Sequence, residues 1–425
     1  MNPLNIAVIG GGAAGFFAAL SCKTHHPDAQ VTLFEKSDKL LAKVKVSGGG
    51  RCNVTHACFS NAQMVKFYPR GGSQLKKVFM QFSTQDTIQW FERRGVKLKT
   101  EADNRMFPVT NNSQTIIDCL MNETRKLGVT IKTNTPVTFI KKESTNAGTL
   151  LSIGLVPPTG KGAGLSAEVS TQAEVRQVDK IIIASGGSPK LAGFKWLEDL
   201  GHTIIPPVPS LFTFNMPQER IKELMGVSVE NVTARIQGTK LMSEGPLLIT
   251  HWGMSGPAIL KLSSFGARAL SEADYHFTVL INWLGNINEE KLREQISTEM
   301  EFLRKLKIAN KNPFHLPNRL WLFFLEKLEI APEKIWDELS KKELNKLMNL
   351  LTNDAYKVEG KTTFKEEFVT CGGVSLHDVN LETMESKTFP GLYFAGELLD
   401  IDALTGGFNF QAAWSTGFIA GKLMR

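Results

Sequence analysis

The sequence predicts an α/β protein: a Rossmann-like dinucleotide-binding domain, interrupted by an insert of short strands followed by helices. Three observations carry this reading. Near the start, the strand Leu4-Asn5-Ile6-Ala7-Val8-Ile9 runs into Gly10-Gly11-Gly12-Ala13-Ala14-Gly15, a helical stretch over 16–22, and the strand Val31-Thr32-Leu33-Phe34 ending on Glu35. Near the other end, residues 391–411 repeat that grammar, with an apolar strand, Gly396-Glu397, and Thr405-Gly406-Gly407 before an Ala-rich helix expected over 412–424. Between them the character changes: 203–282 holds β-like runs divided by Pro and Gly, and 288–351 is helical and rich in charge. The domains expected are therefore 1–193 with 361–425, a barrel-like block of 194–285 with 350–360, and a helical block of 286–350.

Each element of the opening fingerprint has a physical task. Gly10 makes the tight turn, Gly12 lets a pyrophosphate reach the backbone, and Gly15 lets the helix pack closely on the strand. The helix start adds unpaired N–H groups and partial positive charge. Glu35 lies twenty residues after Gly15, placed to accept hydrogen bonds from ribose hydroxyls. A 2′-phosphate would meet like charge there, so FAD or NAD is expected over NADP. Next comes Lys43-Val44-Lys45-Val46-Ser47-Gly48-Gly49-Gly50-Arg51-Cys52-Asn53-Val54-Thr55, too polar and glycine-rich for apolar packing, and read as a loop around a ligand. Helices are expected over 73–95 and 112–128, a strand over 129–139, and an antiparallel meander over 149–176 with a break at Pro157-Pro158-Thr159-Gly160. The loop Gly160-Lys161-Gly162-Ala163-Gly164 lacks a preceding buried strand and is rejected as a second nucleotide site. Residues 178–184 read as a buried strand ending at Ser185-Gly186-Gly187, and nucleotide-fold signals resume at Phe368.

Composition is that of an ordinary globular protein. The stretch over 4–20 is apolar, but Met1-Asn2-Pro3 carries no positive side chain and three glycines interrupt it, unlike a signal peptide. No run is long enough to span a bilayer, and a cytoplasmic protein is expected. The cysteines Cys22, Cys52, Cys58, Cys119 and Cys371 are few, odd in number and scattered, which fits reduced thiols and gives no zinc spacing; no metal is expected. The net charge of +7 is uneven: 36–105 holds fourteen Lys or Arg against five Asp or Glu. That excess is either a solvated face or a field for an anionic ligand.

An FAD extended between the two glycine turns gives every motif a use. The adenosine would meet Glu35, the pyrophosphate Gly10 to Gly15, the ribityl chain Gly396-Glu397, and the flavin ring Gly406-Gly407 with the last helix, whose N-terminus favours negative charge developing on reduction. NAD alone would leave 47–53 and 405–411 without a purpose. Cofactor contacts are expected at Gly10, Gly12, Ala13, Ala14, Gly15, Glu35 and Lys36; at Lys43, Ser47, Gly48, Gly50, Arg51, Cys52 and Asn53; at Val137, Ala184, Ser185 and Gly186; and at Gly396, Glu397, Asp402, Thr405, Gly407, Phe408 and Asn409.

Four stretches resemble the BaiN-like (YhiN-like) family of flavoproteins: the 47–55 loop, Arg105-Met106-Phe107-Pro108, Thr250-His251-Trp252-Gly253-Met254-Ser255-Gly256-Pro257-Ala258-Ile259-Leu260, and 393–411. The resemblance spans essentially the whole chain. It implies a glutathione-reductase-type FAD domain with an inserted β-barrel and helical subdomain, NAD(P)H- and FAD-linked oxidoreduction, and a link to reduction of ring double bonds in bile-acid intermediates. The chain departs from the family pattern at His56 (Asn is common), Ala403 (usually Gly), Phe408 (usually Tyr) and in a shortened segment after Gly187.

The catalytic candidates are Arg51, Cys52 and His251. Arg51 stands among glycines, suited to a phosphate or a substrate carbonyl. Cys52 and Cys58 resemble a redox pair, but five residues separate them where dithiol flavoenzymes use four, so a buried or ligand-lining Cys52 is the competing reading. His251, in a polar Thr-His-Trp-Gly turn, is either a proton donor or a structural histidine. Asp400 and Asp402 either contact ribityl hydroxyls or shape the loop before Thr405. The expected function is a flavoenzyme in which NAD(P)H reduces FAD and the flavin passes hydride to an unsaturated or carbonyl-bearing small molecule. No second fingerprint exists, so the nicotinamide nucleotide must bind at the flavin face. The alternatives are an oxidase of small amines, a tRNA-directed flavoprotein, and a nucleotide sensor without turnover; no aromatic-interleaved basic module supports nucleic acid.

Overall fold

The computed structural model describes residues 3–145, 148–156, 174–362 and 369–424. The expected turn at 157–160, the rejected glycine loop at 160–164 and Phe368 lie outside them. The chain divides into two units, Met1–Pro209 with Lys365–Arg425, and Ser210–Phe364. The first boundary falls at 210 rather than the expected 194, because Phe194, Leu197 and Ile204 are buried in the first unit's core and the strand Ile204–Pro209 pairs with Thr370–Val374.

The first unit is built on five parallel strands: β1 (Asn5–Ile9), β2 (Gln30–Phe34), β3 (Thr130–Lys132), β4 (Lys180–Ile183) and β5 (Leu392–Phe394), in the order β5-β4-β1-β2-β3. Ile9 is level with Phe34 and with Ile183, and Ile183 with Phe394. The carboxyl ends of four strands therefore form one edge, where open α/β sheets bind ligands. The strands read as continuous apolar runs because helices cover the sheet. Helix α1 (Ala13–His25) leaves β1 at once, and helix α2 (Phe408–Lys422) packs on it. Their contact is backbone-close. A Cβ on Gly417 would sit 2.5 Å from the Ala14 carbonyl oxygen, and one on Gly421 2.4 Å from that of Ala18. Phe17 fills the rest of the interface, its ring 4.6 Å from Trp414 and 4.5 Å from Trp90.

Three local expectations change. The helix expected over 73–95 is two, Gly72–Gln81 and Thr84–Glu92, because Ser83 and Asp86 form a capping box that starts the second. The strand expected over 129–139 splits into Thr130–Lys132 and Val137–Thr145, separated by a left-handed Asn134 and Pro136. The final helix starts at Phe408, four residues early, because the left-handed Gly407 caps it.

His202 joins two parts of this unit. Its Nδ1 lies 3.2 Å from the Leu197 carbonyl, its Nε2 2.8 Å from Ser386 Oγ, and its ring stands edge-on to Phe394. Burial lowers its pKa below the ordinary 6.5, against the opposing pull of the Leu197 carbonyl and the Asp378 carboxylate. The unfolded chain therefore takes up this proton first, so the associated stability is present above 6.5 and lost as the pH falls through it. Urea midpoints should drop between about pH 7.5 and about pH 5, and His202→Gln should flatten that drop. An equal drop in both proteins would exclude His202 as its source.

The second unit carries a seven-stranded antiparallel sheet in the order Asp354–Glu359, His276–Asn282, Ser228–Ile236, Met242–Ile249, Gly253–Ser255, Thr213–Asn215, Lys361–Thr362. The helices Glu289–Leu303, Asn318–Lys327 and Lys341–Asn353 share its core. Trp283 meets Phe324 at 5.5 Å and Tyr356 at 6.3 Å, and the buried Asp354 accepts hydrogen bonds from Lys327, Trp283 and Tyr356. The helices expected as a separate block thus lack a core of their own. Among the described residues, no helix is long and apolar enough to cross a membrane.

Candidate cofactor site

Gly10, with φ 115°, turns the chain so tightly that a Cβ would lie 2.3 Å from the Ala184 carbonyl oxygen; one on Gly15 would lie 1.9 Å from that of Gly10. These two glycines lock β1, α1 and the end of β4 together. Gly12 differs: it caps α1, and a Cβ there meets nothing within 4 Å. The start of α1 at Gly12 therefore has no side chain above it, the requirement for a phosphate at a helix start. Glu35 stands beside this turn. Its Oε2 accepts from the Gly11 N–H at 2.8 Å and its Oε1 from the Ser37 N–H and hydroxyl at 3.0 and 2.9 Å, which fixes the carboxylate for ribose hydroxyls. Lys36 is exposed next to it. Glu35→Ala should weaken FAD binding by about 1–3 kcal/mol through the lost hydrogen bonds, read as a rise in Kd on titrating apoprotein; an unchanged Kd would show that the carboxylate serves only the turn.

The 47–53 loop forms a second open surface. The helix from Ala42 breaks at Ser47, whose hydroxyl donates back to the Val44 carbonyl, and Gly48, Gly49 and Gly50 follow at φ 57°, 69° and 81°. Three left-handed residues in a row need glycine. Cβ atoms on Gly49 and Gly50 would meet nothing, whereas one on Gly48 would strike Phe107. Arg51 is held three ways: Nε donates to the Gly48 carbonyl at 3.2 Å, Nη1 to Glu101 at 2.7 Å, and the guanidinium lies 4.0 Å from the Phe107 ring centre. Cys52 is fully buried with φ 61°, and burial pushes its thiol up to about 12. It is a neutral thiol there, not a thiolate nucleophile, and all five cysteines are free.

The C-terminal segment is tied to this loop. With its amide oriented to satisfy its neighbours, Asn53 accepts from the Gly407 N–H at 2.9 Å and donates to the Thr55 and Met106 carbonyls. Thr55 donates to Gln411 at 2.6 Å, and Trp414 Nε1 to the Val54 carbonyl at 2.9 Å. The α2 N-terminus is thereby set beside the glycine loop, with Thr405 exposed in front of it. The His56, Phe408 and Phe67 rings stack, at 4.5 Å for the first pair and 4.3 Å for the second.

Several expected contacts have other duties. Asp402 is fully buried and held by Arg70, with Nε donating to Oδ1 at 2.5 Å and Nη2 donating to Oδ2. It shapes the loop. Asn409 clamps Ala403, accepting from its N–H at 3.0 Å and donating to its carbonyl at 3.1 Å. Glu397 accepts from the Thr370 N–H at 3.1 Å and pairs with Lys43. Gly396 approaches Ala14, and its N–H donates to Thr416 Oγ1 at 2.9 Å. Ala184 closes on β1 by donating to the Ile9 carbonyl at 2.8 Å, with Ser185 exposed after it and Gly186 open. Val137 begins the meander, opposite Leu155. His251 lies exposed on the second unit beside Trp252.

The basic excess over 36–105 is partly compensated. Lys43, Arg70, Lys77 and Arg94 pair with Glu397, Asp402, Glu382 and Glu123, all outside that stretch, and Arg51 and Arg105 pair within it. Sequence counting missed these pairings because they join residues as many as 354 positions apart.

FAD passes the test these residues set. A helix start free of any side chain at Gly12, an acid fixed for a ribose, and a left-handed run open at Gly49 and Gly50 lie within one unit.

Comparison with known proteins agrees with this geometry. The model of the HI0933-like protein Rossmann domain matches residues 4–423. A 3-dehydro-bile acid delta(4,6)-reductase of Clostridium scindens is 26% identical, with 98% of each chain aligned. A ribosomal RNA dihydrouridine synthase of Escherichia coli is 29% identical over 98% of this chain and 97% of its own. Among solved structures, a 3-ketosteroid-delta4-(5alpha)-dehydrogenase from Rhodococcus jostii superposes with a TM-score of 0.50 at 14% identity, covering 99% of this chain and 97% of that one; it shares the fold.

Proposed function

Because the chain belongs to the HI0933-like Rossmann-domain family, we propose that it is an FAD-dependent reductase that saturates a ring carbon–carbon double bond conjugated to a carbonyl, with NAD(P)H as electron donor. The observation that carries the cofactor is the unobstructed helix start at Gly12, where a Cβ would meet nothing within 4 Å, with Glu35 fixed beside it. The bond class draws on the two relatives: a Δ4,6 bond of a 3-oxo steroid and the C5=C6 bond of uracil are both polarised by a ring carbonyl, and both accept hydride at the carbon remote from it.

Bound FAD supplies two-electron hydride transfer. In balance, NAD(P)H and one proton give NAD(P)+ and two new C–H bonds on the substrate. The chain's residues bind and orient. The α1 amides and Glu35 would hold the dinucleotide, and the α2 start would favour negative charge developing beside it. Arg51, with two of its five N–H groups committed to Gly48 and Glu101, keeps the others for a carbonyl oxygen or a phosphate.

A uracil ring within RNA is the second reading of the substrate. It rests on the exposed Lys39, Lys45, Lys66, Lys76 and Lys97 of the cofactor unit and on the ribosomal RNA enzyme among the relatives. One anaerobic experiment addresses donor and substrate. NADH and NADPH are each tested for bleaching the flavin, then cyclic enones, uridine-containing RNA and small amines are screened against the reduced or oxidised protein. Bleaching by NAD(P)H and reoxidation by an enone or by RNA is expected. Bleaching by an amine and by neither nucleotide would replace the reductase with an oxidase.

A further inference from the structure

A cavity of about 430 Å³ in the first unit lies between the helix Gly72–Gln81 and the segment 376–387, among residues the flavin site does not use. Its walls are fixed at both ends. At one end Leu376 packs against Gly71, where a Cβ would come within 3.2 Å of the leucine Cδ1. At the other, Gln81 Nε2 donates to the Glu382 carbonyl at 2.8 Å and Lys77 reaches the Glu382 carboxylate at 3.2 Å. The segment also doubles back on itself, with the Asn380 N–H donating to the Glu385 carbonyl and the Lys387 N–H to the Asp378 carbonyl, each at 2.8 Å. Walls tied in this way keep the space open, and its volume is in the range of small-molecule sites.

The lining is apolar on one side and rich in donors on the other. Leu376 and Val379 are buried and Leu381 half-buried, which gives an apolar floor. Gln74 Oε1 accepts from the Ser73 hydroxyl at 2.6 Å and Asn380 Oδ1 from the Glu382 N–H at 3.0 Å, so the NH2 group of each amide remains available. Lys387 gives one N–H to the His377 carbonyl at 2.8 Å and keeps two. The carboxylates of this segment are committed elsewhere: Glu382 to Lys77, Asp378 to the Thr203 N–H at 2.6 Å, and Glu385 to the Gly391 N–H at 2.8 Å. Lys387 therefore brings a positive charge with no carboxylate of the segment to balance it. A neutral apolar molecule would cover these donors without pairing them, and a bare inorganic anion would leave the floor wet. A molecule with one anionic end and an apolar body meets both demands.

We propose that this cavity is a binding site for a small organic carboxylate, its acid group taken by Lys387 with the Gln74 and Asn380 amides and its apolar body laid on Leu376, Val379 and Leu381. The site stands apart from the glycine turns and does not depend on the identity of the cofactor or of the reduced substrate.

The test is calorimetric titration of the full-length protein, as purified with its cofactor, using 2-naphthoate and its uncharged counterpart 2-naphthamide. One saturable 2-naphthoate per chain is expected, with the amide about tenfold weaker, the scale of a charge-assisted hydrogen bond. Lys387→Gln should weaken 2-naphthoate about tenfold and leave 2-naphthamide unchanged. Gln74→Trp, at a half-buried position on the cavity wall, should fill the space and abolish binding of both. Ser73→Trp, at an exposed position on the same wall, closes the cavity by a second route if the first variant does not fold. Thermal melts without ligand establish that each variant is folded. Wild type without saturable binding overturns the proposal, and so does equal affinity for acid and amide. Undiminished 2-naphthoate binding in a folded Trp variant overturns it as well, by moving the ligand to another part of the molecule.

Discussion

Gly12→Val is expected to give a folded protein that purifies without flavin. The position tolerates a side chain sterically, since a Cβ there meets nothing within 4 Å and the backbone sits at φ −94°, ψ −171°, open to any residue. What the side chain fills is the space through which a pyrophosphate reaches the α1 amides. FAD affinity should fall at least a hundredfold, about 2.8 kcal/mol or more, with little change in apoprotein melting. Gly15→Ala makes the control. Its Cβ would lie 1.9 Å from the Gly10 carbonyl oxygen, so it should lower the melting temperature of the apoprotein itself. Flavin absorbance per chain and thermal melts separate the two effects. A fully yellow Gly12→Val protein would move the cofactor off this helix.

Asp402→Asn should be among the most destabilising single changes in the first unit. Asp402 is fully buried and Arg70 only 14% exposed. A neutral amide would leave the guanidinium without its counter-charge, a loss of about 3–5 kcal/mol in comparable buried pairs. The effect should spread to the site, because the neighbouring Tyr68 donates to the Phe408 carbonyl at 2.6 Å in the first turn of α2. Urea unfolding gives the stability and FAD titration the coupling. Arg70→Met with Asp402→Leu should recover part of the loss, since removing both charges removes the burial penalty as well. A cost for Asp402→Asn below about 1 kcal/mol, the range of a surface pair, would mean that solvent reaches the pair.

What could be read from the sequence was local. The Gly10 to Gly15 turn, α1 and Glu35 lie within one continuous stretch, and their geometry is dictated by neighbours a few residues away. The 47–53 loop was legible as a ligand loop for the same reason, since no packing rule accounts for three glycines before an arginine. Pairings between distant segments left no such mark. Asp402 read equally well as a ribityl contact or a loop-shaping acid, and only Arg70, 332 residues away, decides between them. Asn409 also clamps Ala403, a duty that its place in the sequence does not reveal. The start of α2 was misplaced because Thr405-Gly406-Gly407 reads as a flexible turn, whereas a left-handed Gly407 held by Asn53 is a helix cap. The break at Ser83 was readable, as Ser-x-x-Asp, but the apolar periodicity running through it dominated.

The bonds that seat α2 against the glycine loop join residues as many as 360 positions apart, as between Trp414 and Val54. During synthesis the ribosome delivers the first partner on the order of 20 to 70 s before the second. Through that interval the nascent chain exposes the face of α1 that later meets Gly417 and Gly421, and a half-site that grips only the adenosine end of its ligand. A polypeptide cut short before Gly407 would lack the partners of Asn53 and Val54 and leave Ala14 and Ala18 of α1 uncovered.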